Sequence, residues 1–75
     1  MRLRDLREDH DMTQTMLAAL LHIKQNTYSQ YENGQRQLPV EILIQLSSIY
    51  ETSTDYLLDI TDDPRPYPRK RMHKK

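Results

Sequence analysis

A short segment from Lys24 to Gly34, KQNTYSQYENG, concentrates side chains that form hydrogen bonds without carrying charge. They are Gln25, Asn26, Thr27, Ser29 and Gln30. Amide and hydroxyl groups can both donate and accept hydrogen bonds. The chemistry that they offer is therefore recognition of a surface that itself presents donors and acceptors.

Residue types that commonly carry catalysis or bind metal ions are absent or scattered. The lack of cysteine excludes disulfide scaffolds, thiolate zinc sites and thiol catalysis. His10 and His73 fall in a predicted loop and tail, and His22 has no second ligand at helical spacing. The carboxylates are dispersed over the solvated sides of predicted helices. We therefore expect no enzyme activity, no metal site and no cofactor.

Length and composition predict one small domain. Seventy-five residues bury a limited core, so we expect close helix packing or oligomerisation to add stability. The sequence contains no apolar run long enough to span a membrane and no signal-peptide pattern. We expect a soluble, cytoplasmic protein that makes no membrane contact.

Charge is distributed unevenly, although the formal net charge is zero. Residues 1–64 contain five basic and eleven acidic side chains, a net charge of −6, whereas residues 65–75 contain six basic ones and no acidic one. An acidic body disfavours non-specific binding to nucleic acid, because phosphate contacts supply most of that affinity. The basic tail leaves two alternatives open, an electrostatic arm along a nucleic-acid backbone or a solubilising segment without a defined contact.

Apolar residues recur at helical rather than alternating spacing and predict an all-α fold of five helices. The first helix is expected from Arg2 to Asp9, and Thr13 is a predicted N-cap of the second. A third helix is predicted from Lys24 to about Glu32, ended by Asn33 or Gly34 in a left-handed conformation. The residues expected to point inward from the second and third helices are Leu17, Ala18, Leu21, Tyr28 and Tyr31.

Two further helices are predicted in the second half of the body. Pro39 suits the first turn of a fourth helix that runs to about Tyr50, and Ser53 is a predicted cap of a short fifth helix. Residues 1–60 form the predicted domain, and residues 61–75 a basic, disordered tail. The expected inward residues of the fourth helix are Val40, Leu43, Leu46 and Tyr50, and the fifth helix contains Tyr56, Leu57 and Leu58.

The order of these elements and the segment TQTMLAALLHIKQNTYSQYENG resemble the phage-repressor type of helix-turn-helix domain, called the Cro/CI or XRE family. The resemblance covers about Leu3 to Leu58. Its most specific parts are TQ at the start of helix 2, Leu17-Ala18 within it, and YENG at the end of helix 3. It implies a sequence-specific transcriptional regulator, a repressor that binds a two-part operator in double-stranded DNA as a homodimer, with helix 3 in the major groove.

The DNA contacts that this resemblance implies divide into base readout and phosphate contacts. Neutral amides suit the major groove, because glutamine and asparagine can pair bidentately with adenine. We expect base readout from Gln25, Asn26, Ser29 and Gln30. Thr27 is expected to touch a base edge or a phosphate, and the expected phosphate contacts are Gln14, Lys24, Asn33 and Arg36.

Several positions bear on the scaffold that the resemblance implies. Arg7 and Glu32 match positions that form an ion pair between helix 1 and the end of helix 3, so Arg7 is expected to be structural. His22 stands where the family usually has a glycine, and we expect the turn to survive because histidine tolerates a left-handed backbone. Lys24 and Glu51 replace a usual helix cap and a usual glycine.

Met16 and Leu20 stand where relatives in the family commonly carry charged residues. If exposed, this pair suggests a protein partner; the alternative is that both residues pack under a loop or under helix 1. An alternative function is therefore a protein-interaction module or an antitoxin-like partner on the same scaffold. The surface that a homodimer could bury is expected on helix 5 and on helix 4, at Ile42, Ile44 and Ile49.

Overall fold

The computed structural model describes residues 1–66, which contain five α-helices and no strand. This arrangement confirms the predicted all-α fold. Within these residues no helix has the length and apolar character needed to cross a membrane. The helices are α1 (Leu3–Asp9), α2 (Gln14–Leu21), α3 (Gln25–Glu32), α4 (Val40–Ile49) and α5 (Thr54–Leu57).

Two helix starts are fixed by the side chains that the sequence predicts as caps. The Thr13 hydroxyl oxygen accepts from the Met16 amide at 3.1 Å, and the Ser53 hydroxyl oxygen accepts from the Tyr56 amide at 3.0 Å. Each bond satisfies an amide that has no partner inside its helix, which stabilises a helix by about 1 kcal/mol. Both capping predictions are confirmed.

Left-handed residues close several of the helices. His22, with φ 59° and ψ 41°, ends α2 and directs the chain into α3, so the turn survives without glycine. Glu51 adopts φ 51° at the turn before α5. After α3, Gly34 takes the left-handed conformation with φ 75°, whereas Asn33 remains right-handed. The side chains of His22 and Glu51 make these turns less favourable than glycine would.

One continuous apolar core lies between the helices. It includes the predicted inward residues of α2 and α3, and Tyr28 has no exposed surface at all. Ala18 is 2% exposed, and its small side chain allows close helix approach. The buried apolar residues are Leu3, Leu17, Ala18, Leu21, Tyr28, Tyr31, Ile42, Leu46, Tyr50 and Leu57.

The start of α4 differs from the prediction. Val40, expected to point inward, is 66% exposed, and the core position belongs to Ile42 instead. Pro39 is the N-cap with an extended backbone, one residue before the helix rather than inside its first turn. Because Ile42 lies four residues before Leu46, the two share one side of the helix, and Val40 points to the other side.

Thr61, Asp62 and Pro64, which belong to the predicted disordered tail, make hydrogen bonds to the helical body. The Arg2 guanidinium donates to the Thr61 carbonyl at 3.3 Å and to the Asp62 carboxylate at 3.0 Å. The Thr52 hydroxyl donates to the Pro64 carbonyl at 2.6 Å. The tail prediction for residues 67–75 lies outside the described residues.

Candidate nucleic-acid interface

Helices α2 and α3 contact each other and are joined by the left-handed turn at His22. The buried side of α3 is held by Tyr28 and Tyr31, which are 0% and 8% exposed. This confirms that both tyrosines belong to the core. The opposite side of α3 is left for polar side chains, as expected for a helix whose period is 3.6 residues.

The nine predicted contact residues lie on α3, at its two ends and at the start of α2. Lys24, Gln25, Asn26, Asn33 and Arg36 are exposed, and Gln14, Thr27, Ser29 and Gln30 are half-buried. Among the exposed ones, Lys24 caps α3 without a side-chain hydrogen bond to the helix. No predicted contact residue is buried in the core.

Hydrogen bonds join six of the nine side chains into three pairs. The Gln25 amide nitrogen donates to the Gln14 amide oxygen at 2.8 Å. The Arg36 Nε donates to the Gln30 amide oxygen at 3.0 Å, and Asn33 donates to the Ser29 hydroxyl at 3.5 Å. These bonds restrict amides that would otherwise rotate freely in solvent. The side chains of Lys24, Asn26 and Thr27 make no hydrogen bond within residues 1–66.

A buried carboxylate lies directly beneath this surface, at the end of α3. The Glu32 side chain is fully buried, and its carboxylate accepts from Arg7 Nε at 2.6 Å and from the Tyr28 hydroxyl at 2.7 Å. Gln14 also donates a hydrogen bond to it, at 3.1 Å. Arg4, which is more exposed, approaches to 3.6 Å. The ion pair expected between Arg7 and Glu32 is therefore present. We call Arg7, Gln14, Tyr28 and Glu32 the Glu32 cluster.

Ionisation in the Glu32 cluster follows from these contacts. Burial alone would raise the pKa of Glu32, but the hydrogen bonds from Arg7, Tyr28 and Gln14 outweigh it and hold that pKa below its usual value. The hydrogen bond to Glu32 raises the pKa of Arg7. Burial, followed by the bond to Glu32, raises the pKa of Tyr28. The cluster therefore holds an ionised carboxylate, a guanidinium cation and a neutral phenol at neutral pH.

Local charge on the candidate surface is more favourable to DNA than the net charge suggests. Lys24 and Arg36 are exposed cations at either end of α3. Glu32, the acid within α3, is buried and paired with Arg7. Many of the acids responsible for the charge of −6 lie elsewhere, on α1 and on the segment after α5. Docking depends on the field near α3, so the acidic body and a DNA-facing helix are compatible.

Gln14, which is predicted to contact a phosphate, also makes two contacts inside the protein that the sequence does not predict. Gln14 bridges Glu32 and Gln25, which lie eighteen and eleven residues away along the chain. No local periodicity predicts such contacts. The hydrogen bond from Tyr28 to Glu32 is easier to predict from the sequence, because residues four apart on a helix are neighbours. Within residues 1–66, no group of three or more potential ligands could hold a metal ion.

Comparisons with known proteins agree with this geometry. A family model described as helix-turn-helix matches residues 3–57. The chain is 40% identical over 65 residues to the uncharacterised HTH-type transcriptional regulator YobD of Bacillus subtilis, covering 87% of this chain and 58% of that protein.

Two other curated relatives match over most of this chain. The HTH-type transcriptional regulator ImmR of Bacillus subtilis is 40% identical over 57 residues, 76% of this chain and 45% of that protein. The HTH-type transcriptional regulator PrpR of Mycobacterium tuberculosis is 34% identical over 61 residues, 81% of this chain and 13% of that protein. The chain thus spans between about an eighth and three fifths of these relatives. No solved structure matches it significantly.

Proposed function

Because the chain belongs to the XRE-type helix-turn-helix family, we propose that it binds double-stranded DNA sequence-specifically and regulates transcription as a repressor. In this proposal α3 lies in the major groove, where each base pair presents a distinct set of donors and acceptors. The start of α3 enters the groove first and carries Gln25 and Asn26. Ser29 and Gln30 follow one turn later on the same side.

A single observation carries this proposal: within residues 1–66, the first turn of the amide-bearing side of α3 is exposed. Gln25 and Asn26 are exposed at the entering end, and their helix is anchored from behind by Tyr28 and Tyr31. An anchored helix with prearranged amides loses little conformational freedom when it binds. Each good bidentate pair with a base contributes about 1 to 3 kcal/mol of discrimination.

Phosphate contacts would set the position of α3 in the groove. Lys24 and Arg36 supply cations at the two ends of the helix, and Asn33 adds a neutral donor. Arg36 donates its Nε to Gln30, which leaves its terminal nitrogens for a phosphate. Gln14 lies at the start of α2, where a helix N-terminus favours an anion. Thr27 would reach a base edge or a phosphate beside them.

The proposal includes a homodimer on a two-part operator. Half-sites for such a dimer would be spaced by about one DNA turn, roughly 10 base pairs. On α4, Ile44 is exposed and Ile49 is half-buried, whereas Ile42 belongs to the core and is removed from the expected interface. The exposed apolar residues Leu58 and Ile60 follow α5 and extend the apolar surface available to a second copy.

Selection of bound sequences from random duplex DNA tests the proposal. The full chain is expected to enrich a two-part site, and a Gln25→Ala/Gln30→Ala double variant is expected to lose the enrichment while keeping weak, salt-sensitive binding. Gln25 is exposed and Gln30 is half-buried, and neither belongs to the core, so the variant should unfold within a few degrees of the unaltered protein. Equal affinity for selected and random duplexes would rule out sequence-specific regulation.

A second candidate function is a protein-interaction module, favoured by the exposure of one apolar pair. Met16 and Leu20 are 50% and 52% exposed on α2, so neither packs under a loop or under α1. A Met16→Gln/Leu20→Gln variant separates the two functions. Loss of association in sedimentation velocity with DNA binding intact would assign this pair to a protein contact. Unchanged association would remove the protein-interaction candidate.

A further inference from the structure

We propose that Arg4 is a further phosphate-binding residue, which donates to a DNA phosphate beside the start of α2 and thereby helps to position α3 in the major groove. This inference rests on the proposed DNA-binding function. Arg4 is an exposed cation on α1, a helix that carries no predicted DNA contact. The support for its role is the arrangement of charge and hydrogen bonds around the buried carboxylate of Glu32.

The Glu32 carboxylate has no acceptor capacity left for Arg4. An ionised carboxylate offers about four lone-pair positions to hydrogen-bond donors. Its Oε2 atom accepts from Arg7 Nε at 2.6 Å and from the Tyr28 hydroxyl at 2.7 Å. Its Oε1 atom accepts from Gln14 at 3.1 Å and from Arg7 Nη2 at 3.4 Å. These hydrogen bonds satisfy Glu32 without any contribution from Arg4.

Arg4 carries a surplus charge next to this carboxylate. Arg7 already supplies one guanidinium for the one carboxylate of Glu32. Arg4 Nε lies 3.6 Å from Glu32 Oε1, which is within ion-pair distance but too long for a hydrogen bond. The Arg4 side chain is 59% exposed and makes no hydrogen bond within residues 1–66. The two arginines and Glu32 therefore have an excess of positive charge, and the exposed arginine presents it to solvent.

One oxygen atom fixes the location of that surplus charge. Glu32 Oε1 accepts from Gln14 and is also the atom that Arg4 approaches. The Arg4 guanidinium therefore lies beside the Gln14 amide, the predicted phosphate contact that begins α2. Because Arg4 comes closest to Glu32 through Nε, its two terminal nitrogens remain available to an oxyanion outside the protein. A guanidinium suits a phosphate, which it can bind through two parallel hydrogen bonds.

The other basic residues of the acidic body already have roles. Arg2 and Arg7 are both paired with carboxylates of the protein itself. Lys24 and Arg36 lie at the two ends of α3 and are the predicted charged contacts to phosphates. Arg4 is the remaining one, and its charge is not needed to satisfy any acceptor inside the described part of the chain. A DNA phosphate is the partner that the proposed function would supply.

A structural role for Arg4 and the proposed phosphate contact predict different measurements to change. If Arg4 only stabilised Glu32, Arg4→Met would lower the free energy of unfolding and leave the salt dependence of DNA binding unchanged. A phosphate contact predicts the reverse, because each neutralised phosphate releases counterions, whereas exposed ion pairs contribute little to stability. Urea unfolding at pH 7 and DNA binding at several salt concentrations therefore separate the two roles.

The test uses the full chain and the operator found by selection from random DNA. The slope of log affinity against log salt concentration is measured for the unaltered protein, Arg4→Met and Arg4→Lys. Arg4→Met is expected to reduce the slope by about 1 per bound subunit and to weaken binding about fivefold or more at physiological salt. Selected and random duplexes should lose affinity by the same factor, because phosphate contacts carry no sequence information. Arg4→Lys should restore the slope, since lysine keeps the charge.

Neutral methylphosphonates identify the phosphate that Arg4 contacts. Each phosphate of the operator is replaced in turn by a methylphosphonate, which removes its charge. Arg4→Met should become insensitive to one replacement that weakens binding of the unaltered protein, and should stay sensitive to the others. Lys24→Met is the matched control, because it removes one exposed cation at the start of α3 and should become insensitive to a different replacement.

The outcomes also separate this inference from the proposed function. An unchanged salt slope in Arg4→Met, with sequence preference intact, would overturn the role of Arg4 and leave the proposed function standing. The same conclusion would follow if Arg4→Met kept its sensitivity to every replacement that weakens the unaltered protein. An unaltered protein without any preferred sequence would overturn the proposed function and, with it, the role of Arg4 in positioning α3.

Discussion

Two arginines near the start of the chain, Arg2 and Arg7, pair with carboxylates that differ in their exposure to solvent. Arg7 pairs with the fully buried Glu32, and its own side chain is only 13% exposed. Arg2 pairs with Asp59 and Asp62, which are both exposed. The two regions show that the same chemical pair can serve different purposes, depending on how much water reaches it.

In the Glu32 cluster each donor has a particular target, because the buried carboxylate has no solvent to replace a missing partner. Arg7 also donates to the Met12 carbonyl at 2.9 Å, which holds the loop between α1 and α2. This single side chain therefore joins α1, the loop and α3. Removing it leaves a buried charge without its counterion, which is costly in proteins.

A second group of contacts, which we call the Arg2 clasp, consists of Arg2, Tyr56, Asp59, Thr61 and Asp62. The clasp contains several contacts that are individually weak. Arg2 Nε donates to the Tyr56 carbonyl at 2.9 Å, and the Arg2 guanidinium lies 4.2 Å from the centre of the Tyr56 ring. Water competes for the exposed carboxylates. The clasp holds two distant parts of the chain together, and losing one contact leaves the others in place.

The largest effect is expected from Arg7→Met. The variant leaves Glu32 buried without its cation, so we expect the free energy of unfolding to fall by about 3 to 5 kcal/mol. Urea unfolding at pH 7, followed by circular dichroism, measures it. A loss below about 1 kcal/mol would show that the Glu32 cluster behaves like the exposed clasp.

Acid should remove part of the same stabilisation. The folded-state pKa of Glu32 lies below its ordinary value of 4.5, so the folded protein binds fewer protons there than the unfolded chain does. This contribution is complete above about pH 4.5 and is lost as the pH falls through the folded-state pKa. The difference in stability between wild type and Glu32→Gln, measured by urea unfolding, should shrink below pH 4.5. A constant difference from pH 6 to pH 3 would contradict this assignment.

A smaller effect is expected from Tyr28→Phe. Its hydroxyl donates to the Glu32 carboxylate at 2.7 Å, and a hydrogen bond to a charged group contributes about 1.5 to 3 kcal/mol. Thermal and urea unfolding should show a loss in that range.

Tyr50→Phe is the matched control for that substitution. The Tyr50 hydroxyl is also buried but has no hydrogen-bond partner within the described residues, and burial raises its pKa to about 12. Removing it should leave stability unchanged or raise it slightly, by less than about 1 kcal/mol. Equal losses in the two variants would show that the partner of the hydroxyl does not determine its contribution.

The smallest of these losses is expected from Arg2→Met. We expect the free energy of unfolding to fall by about 1 kcal/mol in total. The exposed ion pairs contribute little of this loss, and the ring contact with Tyr56 and the bonds to carbonyl groups contribute the rest. The loss should shrink in 1 M salt because exposed charges are screened, whereas the loss in Arg7→Met should change less. Urea unfolding at two salt concentrations compares the two arginines directly.

Features that depend on neighbouring residues could be predicted from the sequence, whereas most contacts between distant residues could not. Thr13 and Ser53 were identifiable as caps because capping depends on residue type and on neighbours three positions away. The pair of Arg7 and Glu32 followed from the family resemblance. Val40 was misplaced because Pro39 precedes the helix, while Ile42 has the periodicity of the core.

Other contacts between side chains far apart in the sequence could not be predicted. Gln14 looked like a surface residue that begins a helix, and only the fold shows it between Glu32 and Gln25. The segment after α5 looked like a tail because it lacks apolar periodicity. It is held by polar contacts to Arg2 and Thr52, which local patterns do not reveal.

The Arg2 clasp also determines how the order of the helices along the chain could be changed. The Arg2 amide donates to the Leu57 carbonyl at 3.0 Å, and its side chain reaches Thr61, so the first residues lie beside those that follow α5. A short peptide could join the two, and new ends could be opened in the exposed part of the loop after α3, at residues 34–37. Such a circular permutant would keep α2 and α3 contiguous. A reporter domain fused before residue 2 or after residue 62 would depart from nearly the same point on the surface.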